Sequence, residues 1–128
     1  MAGALADAVT AMMADFERMD FDAVTGAMTQ DAQGIDELSR KWMRTRNDMA
    51  GYFKAVSASV SKIHNSTFKD VHETVSGDIG IMTCWMEQDY VLDGKPQHIS
   101  APTTVVLRRE GDAWKIALFH SLPLPEAG

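Results

Sequence analysis

The stretch IGIMTCWMEQDYVLDGKPQHISAPTTVVLRREGDAWKIALFHSL, residues 79–122, holds three β-rich segments divided by two turn signals. Ile79 to Leu92 is dense in β-formers and closes on Asp93-Gly94, a pair suited to the positive-φ positions of a two-residue hairpin. Gln97 to Arg109 forms the next strand and Glu110-Gly111-Asp112 the next turn. Trp114 to Leu122 is the last strand, stopped by Pro123 and Pro125. Upstream, Ser66 to Glu73 alternates weakly and Ser76-Gly77-Asp78 supplies a turn. Together these segments predict an antiparallel meander.

The earlier part of the chain has a helical period. Ala2, Leu5, Val9, Met12, Met13, Phe16 and Met19 recur at three- and four-residue steps, flanked by Asp7, Asp15 and Glu17. Asp20 or Asp22 can cap a second, shorter helix that carries Phe21, Val24 and Met28 and ends near Gln30-Asp31. A third helix is expected from about Asn47 to Lys62, capped by Asn47 or Asp48, with Met49, Tyr52, Phe53, Val56 and Val60 on its apolar face. Asp31 to Arg46 reads as irregular, with a short extended piece at Gln33 to Asp36. Three helices followed by a meander predict an α+β fold, one domain over residues 1–128, in which one sheet wraps helices.

Composition narrows the function classes. In 128 residues, 45% hydrophobic and 23% charged, there is material for one core and too much of it for a disordered chain. No apolar stretch approaches the roughly 20 residues of a membrane helix, and Asp7 interrupts an N-terminal run that lacks a basic start. We therefore expect no membrane partner, no signal peptide and a cytoplasmic location. Twelve basic against eighteen acidic residues leave a net charge of −6, the wrong sign for a nucleic-acid surface. Cys84 stands alone, so no internal disulfide and no CxxC metal site can form. His64 and His72 lie eight apart with no ligand pair near them, and no metal or other cofactor is expected. The last strand is apolar on both faces: Trp114, Ile116, Leu118 and His120 on one, Ala117, Phe119 and Ser121 on the other. A homodimer through the convex sheet face would cover Trp85, Trp114, Ile116 and Leu118.

Three segments carry a resemblance to a known family. MDFDAVTGAMTQDAQGIDE, DYVLDG and APTTVVLRREGDAWKIALFHSLPLP, with the helix-helix-helix-meander order, resemble the SnoaL-like and ketosteroid-isomerase-like branch of the nuclear-transport-factor-2-like superfamily. The resemblance spans about residues 5 to 125 and implies a cone-shaped, curved antiparallel sheet closed by the helices over an apolar cavity. These cones host isomerases, cyclases, hydratases and non-catalytic proteins. An ungapped alignment through Met19-Asp20-Phe21-Asp22 to Phe53 sets the proton-shuttling carboxylate on Asp36. The same alignment puts Met12 where the isomerases carry an oxyanion tyrosine and Phe53 where they carry a second pocket tyrosine. Anchored on Ala101-Pro102, it puts Thr104 where they carry an oxyanion acid. With those donors replaced, at about 10²–10³ in rate for each, ketosteroid isomerase activity itself is not expected.

The resemblance also implies a set of cavity-facing residues. They are Met86, Gln88 and Tyr90, then His98, Ser100 and Thr104, then Ala117, Phe119 and Ser121, with a bulge at Pro102 able to shift the parity. Met12, Met28 and Met86 would then line the cavity with side chains flexible enough to accept varied apolar ligands, or simply fill an irregular core. Trp42 reads as a lid over the cavity or a plug in the core. Around it Arg40, Lys41, Arg44 and Arg46 form the one basic cluster, either an anion site at the cavity mouth or a solvated loop balancing Asp36, Glu37 and Asp48. His98 is the histidine expected to reach the cavity, whereas parity turns His120 toward an interface.

Two readings of Asp36 stand side by side: a desolvated general acid/base, or a loop-capping aspartate. Two functions follow. One is binding of a small hydrophobic molecule with cofactor-free isomerase, cyclase or dehydratase chemistry, Asp36 acting with Thr104 and His98. The other is a non-catalytic ligand-binding or dimerisation module.

Overall fold

The computed structural model describes residues 3–125; Ala2, at the head of the helical stripe, and residues 126–128 lie outside them. Along the chain run α1 (Ala4–Glu17), α2 (Phe21–Gly26), β1 (Met28–Asp36), α3 (Arg46–Ser59), β2 (Val60–Ser76), β3 (Ile79–Leu92), β4 (Lys95–Glu110) and β5 (Ala113–Ser121). Asp93 and Gly94 adopt φ of 49° and 79°, the left-handed pair a two-residue hairpin needs. From that turn β3 and β4 pair without a break, Leu92 with Lys95 out to Ile79 with Arg108. The five strands lie in the order β1-β5-β4-β3-β2, antiparallel except for β1 beside β5.

The helices fill the concave side of this sheet. On α1 the stripe Leu5, Val9, Met12, Met13 and Phe16 is buried, and it meets Met82, Met86, Val105, Leu107 and Ile116 in one core. Its N-terminus has no side-chain cap of its own; Leu5 N–H instead donates to Glu73 Oε1 of β2 at 2.9 Å. Gly80 of β3 admits the helix, because a Cβ there would sit 2.7 Å from both Leu5 methyls.

Three boundaries differ from the sequence expectations. α2, capped by Asp20, ends at Gly26 rather than near Gln30-Asp31, because Ala27 C=O already accepts from Ile116 N–H at 2.9 Å and the chain joins β5. The short extended piece at Gln33 to Asp36 is thus the end of a nine-residue strand. α3 is capped by Thr45, not Asn47 or Asp48: Thr45 Oγ1 accepts from Asp48 N–H at 3.0 Å, and Asp48 Oδ2 accepts from Thr45 N–H at 3.2 Å. It stops at Ser59, three residues short of Lys62, since Val60 pairs with Leu92 at the start of β2.

Strand parity brings two corrections. A two-residue turn pairs even-numbered residues of β3 with odd-numbered ones of β4, so Met86, Gln88 and Tyr90 share the concave face with Ile99, Ala101, Thr103, Val105 and Leu107. His98, Ser100 and Thr104 therefore lie on the convex face, and Pro102 pairs with Trp85 without a bulge. The bulge is in β5 instead: Leu107 pairs with Ile116 and Val106 with Leu118, leaving Ala117 as the extra residue. Ile116 is consequently 1% exposed on the concave side, and Trp114 packs on that core with the Arg109 guanidinium 4.6 Å from its ring centre. Neither belongs to the convex patch, where Ile81 and Trp85 are 43% and 39% exposed. No helix among the described residues is long and apolar enough to cross a membrane.

The Gly80–Leu5 contact makes a test of how α1 is seated. Gly80→Ala should destabilise by about 1–3 kcal/mol through overpacking, and Leu5→Ala by about 2–5 kcal/mol through the cavity it leaves. In urea denaturation the double variant should lose less than the sum of the two, because each change makes room for the other. Strict additivity would show that α1 does not rest on Gly80.

Candidate functional site: a buried carboxylate and a methionine-lined cavity

Asp36 is the last residue of β1, and the chain turns directly after it. Its side chain holds that turn. Ser39 N–H donates to Asp36 Oδ1 at 2.8 Å, while Asp36 N–H donates to Ser39 Oγ at 3.0 Å. The second carboxylate oxygen faces α3, where the Tyr52 hydroxyl donates to Asp36 Oδ2 at 2.5 Å. Gly34, two residues earlier, forms a β-bridge with Met43, and a Cβ on it would lie 3.1 Å from the Phe119 carbonyl oxygen. The close approach that glycine permits thus brings β1, β5 and the loop together beside Asp36.

Burial pushes the Asp36 carboxyl above the ordinary carboxylate range, against the hydrogen bonds from Tyr52, Ser39 and Leu38 that favour its charged form. Burial, and then the Asp36 charge and hydrogen bond, push the Tyr52 phenol well above its usual value, so the phenol keeps its proton. A short distance away Tyr90 is raised to about 12 by burial and by Glu37, whose Oε2 is buried with no hydrogen-bond partner. What the arrangement offers chemically is a desolvated carboxyl able to give or take a proton, with a phenol fixing its orientation.

Asp36 opens on an interior cavity of about 70 Å³. Six methionines, Met12, Met13, Met28, Met43, Met49 and Met86, line it together with Phe16, Phe53, Ile116 and Phe119. Its polar wall besides Asp36 and Tyr52 is the exposed Gln33 and the buried Gln88, whose Nε2 donates to Ser66 Oγ at 3.0 Å and to Met13 Sδ at 3.3 Å. A drug-sized ligand needs roughly 300 Å³ or more, so occupancy requires the walls to move. Unbranched thioether side chains are the ones best able to do so.

Of the residues singled out from the sequence, the structure brings Asp36, Met12, Met28, Phe53, Met86, Gln88 and Phe119 around this cavity. It separates five others. Thr104 and His98 face the opposite side of the sheet, and His98 there bridges Asp89 Oδ1 (2.5 Å from Nδ1) and Glu87 Oε1 (3.5 Å from Nε2). Ala117 is the bulge residue and lies outside the lining. Tyr90 is buried on the concave side but directed to Glu37 rather than into the cavity. Trp42 neither covers the cavity nor plugs the core: the bridge at Met43 turns Met43 inward and its neighbours outward, and Trp42 stacks on His120 at 5.8 Å. Cys84 is buried, which raises its thiol to about 11 and leaves it a poor nucleophile.

Tyr52, next to Phe53 on α3, is the site residue that the sequence reading did not single out. The signal was present: a tyrosine on the apolar face of α3 must bury its hydroxyl, and a buried hydroxyl needs a partner.

Helices on the concave face of a curved five-stranded sheet define the cone type of α+β fold. The SnoaL-like domain profile matches residues 5–125, and the chain belongs to that family. Among solved structures, a candidate dehydratase of the NTF2-like family from Streptomyces avermitilis is similar with a TM-score of 0.84 at 20% identity, over 96% of each chain. A ketosteroid isomerase-like protein from Erwinia carotovora atroseptica gives a TM-score of 0.79 at 18% identity, over 96% of this chain and 95% of that one. The CaMKII hub of S. rosetta gives 0.80 at 19% identity, over 97% and 99%. At these identities the likeness is one of fold. Among curated proteins none matches the sequence.

The raised carboxyl makes a prediction with a definite sign. Folding binds the Asp36 proton more tightly than the unfolded chain does, so this group costs stability as pH rises from about 4 through its folded value. Asp36→Asn removes the charge, and its amide can still accept from Ser39 and donate to the Tyr52 oxygen. At pH 7 the variant should melt on the order of 2–4 °C above the wild type, with the gap closing as pH falls toward 4. A lower melting temperature at pH 7 would make Asp36 a loop cap whose charge the fold needs.

Proposed function

We propose that this SnoaL-like protein binds a small hydrophobic molecule and transfers a proton on it without a cofactor, with Asp36 as the general acid/base. The observation that carries this reading is a desolvated carboxyl, oriented by a tyrosine, in the wall of an otherwise apolar cavity. Such a group holds a proton closer to neutral pH than a solvated aspartate does, the condition for shuttling it. Tyr52 acts through Asp36 as a positioning residue, because its one proton is already committed to the carboxylate. Inside the cavity Gln88 spends its two N–H groups on Ser66 Oγ and Met13 Sδ, so the one uncommitted amide among the described lining residues is Gln33, which is exposed. That favours substrates whose own conjugation carries the charge, in isomerisation, cyclisation or dehydration, over the steroid reaction itself.

The reaction class can be tested without the natural substrate. With 2-tetralone in D₂O as a probe, the wild type should speed deuterium incorporation at the α-carbon, followed by proton NMR. Asp36→Asn should remove roughly 10²–10⁴ of that acceleration. Tyr52→Phe should shift its pH profile upward while leaving a residual rate. A wild-type rate no greater than that of free acetate would defeat the catalytic reading and favour a non-catalytic binding module.

A homodimer through the convex face is the second part of the reading. Ile81, Trp85, Val106 and Leu118 form an apolar surface there that one chain leaves uncovered. The fold-level likeness to hub domains is in keeping with self-association. Sedimentation velocity at micromolar concentration should give a dimer, and Trp85→Glu should give a folded monomer. A wild-type monomer would remove the dimer from the proposal.

A further inference from the structure

Between α2, β1 and α3 lies a groove of about 280 Å³, distinct in position from the interior cavity but sharing Met28, Met49 and Phe53 with it. Those three side chains face both spaces. Two are flexible thioethers, and Phe53 is braced from the groove side by Phe21, stacked at 4.7 Å. The outer walls are Asp22, Thr25, Ala32, Arg46 and Ala50.

Arg46 is the cation of this groove, and the member of the basic cluster that turns inward; Arg40, Lys41 and Arg44 remain exposed. Its Nη1 donates to Thr25 C=O at 3.2 Å, and its Nη2 to Met28 C=O at 3.3 Å and Thr29 C=O at 3.2 Å. Its Nε is buried and has no hydrogen-bond partner. Among the described residues Arg46 also forms no ion pair, although Asp22 lies in the same groove. A half-buried guanidinium that spends three of its five N–H groups on neutral carbonyls, with Nε–H and one Nη1–H left over, lacks a counter-anion. Burying such a group is costly until it finds one.

We infer that this groove is the mouth of the cavity and that the ligand is a hydrophobic carboxylate, its anionic end held by Arg46 and its apolar body passed inward between Met28, Met49 and Phe53. The orientation follows from β1. Arg46 is fastened to the carbonyls of Met28 and Thr29 at the start of that strand, whereas Asp36 is its last residue. A carboxylate is drawn to the Arg46 end, although Asp22 lines the same groove, and this turns the apolar body toward the cavity. The inference rests on the proposed apolar-ligand reading and adds the charge of the ligand and its route.

The test compares 2-naphthoate with 2-naphthylmethanol, which share a ring system and differ in charge. Calorimetry on the wild type should give at least a tenfold lower Kd for naphthoate, the size of a charge-assisted hydrogen bond. In ¹H–¹⁵N spectra the Arg46 Nε–H resonance should move downfield with naphthoate and not with the alcohol. Arg46→Gln should bring the affinity ratio close to one and leave the alcohol unaffected. Ala50→Trp, on an exposed position of α3 away from the carbonyls that Arg46 holds, should block the groove and weaken both probes about tenfold or more. If Arg46→Gln does not fold, the wild-type ratio, the Nε–H shift and Ala50→Trp still decide. Equal affinities for the two probes, or an unchanged Kd in Ala50→Trp, overturn the inference and leave the apolar-cavity reading standing. Failure of both probes to bind at about 1 mM overturns the two together.

Discussion

The register set at Asp93-Gly94 is the constraint on which the molecule is built. Two left-handed residues in succession pair Leu92 with Lys95, and that pairing runs unbroken through fourteen residue pairs to Ile79 and Arg108. Each step assigns one residue to the concave face and the next to the convex one. Met82, Met86, Val105 and Leu107 are thereby turned toward the helices, and Ile81, Trp85 and Val106 away from them. A slip of one residue would exchange the cavity wall for the outer surface. The bulge at Ala117 then resets the last strand, so that Ile116 and Phe119, three residues apart, both reach the cavity.

Against that frame the site is a balance of costs. Asp36 is desolvated, which disfavours its charge, yet three donors stand close enough to tolerate it. The result is a carboxyl that holds its proton more tightly than a solvated aspartate does. The same hydrogen bonds close the loop after β1 and fasten it to α3. Structural and chemical readings of Asp36 are therefore not exclusive: what holds the turn also aims the carboxyl.

The cavity adds softness to this frame. A 70 Å³ space walled by six methionines is small as it stands and can be enlarged at modest cost, because thioether chains exchange rotamers without branching strain. α3 has the groove on one flank and the Tyr52–Asp36 bond on the other, with Met49, Phe53 and Val56 as its buried residues. A helix held by so few buried side chains is suited to a boundary that must admit something.

Much of this was legible in the residues themselves. Leu5, Val9, Met12, Met13 and Phe16 announced α1 by spacing, and Asp93-Gly94 and Glu110-Gly111-Asp112 announced the turns, because these depend on steps of one to four residues along the chain. Asp36 emerged by resemblance. The hairpin turn even contained the register that would have put His98 and Thr104 on the convex face, had its pairing been counted outward. Other features belonged to the tertiary structure alone. β1 is a strand because β5 lies beside it, and its polar sequence gives little sign of that. The bulge at Ala117 exists only in the way β5 pairs with β4. The meeting of Tyr52 with Asp36, and of Arg46 with the carbonyls of β1, joins positions 16 to 18 residues apart. Local sequence fixes how each segment is shaped and which side it wants to bury; which polar groups then meet is decided only when the segments close on one another, since water satisfies them equally well until that moment.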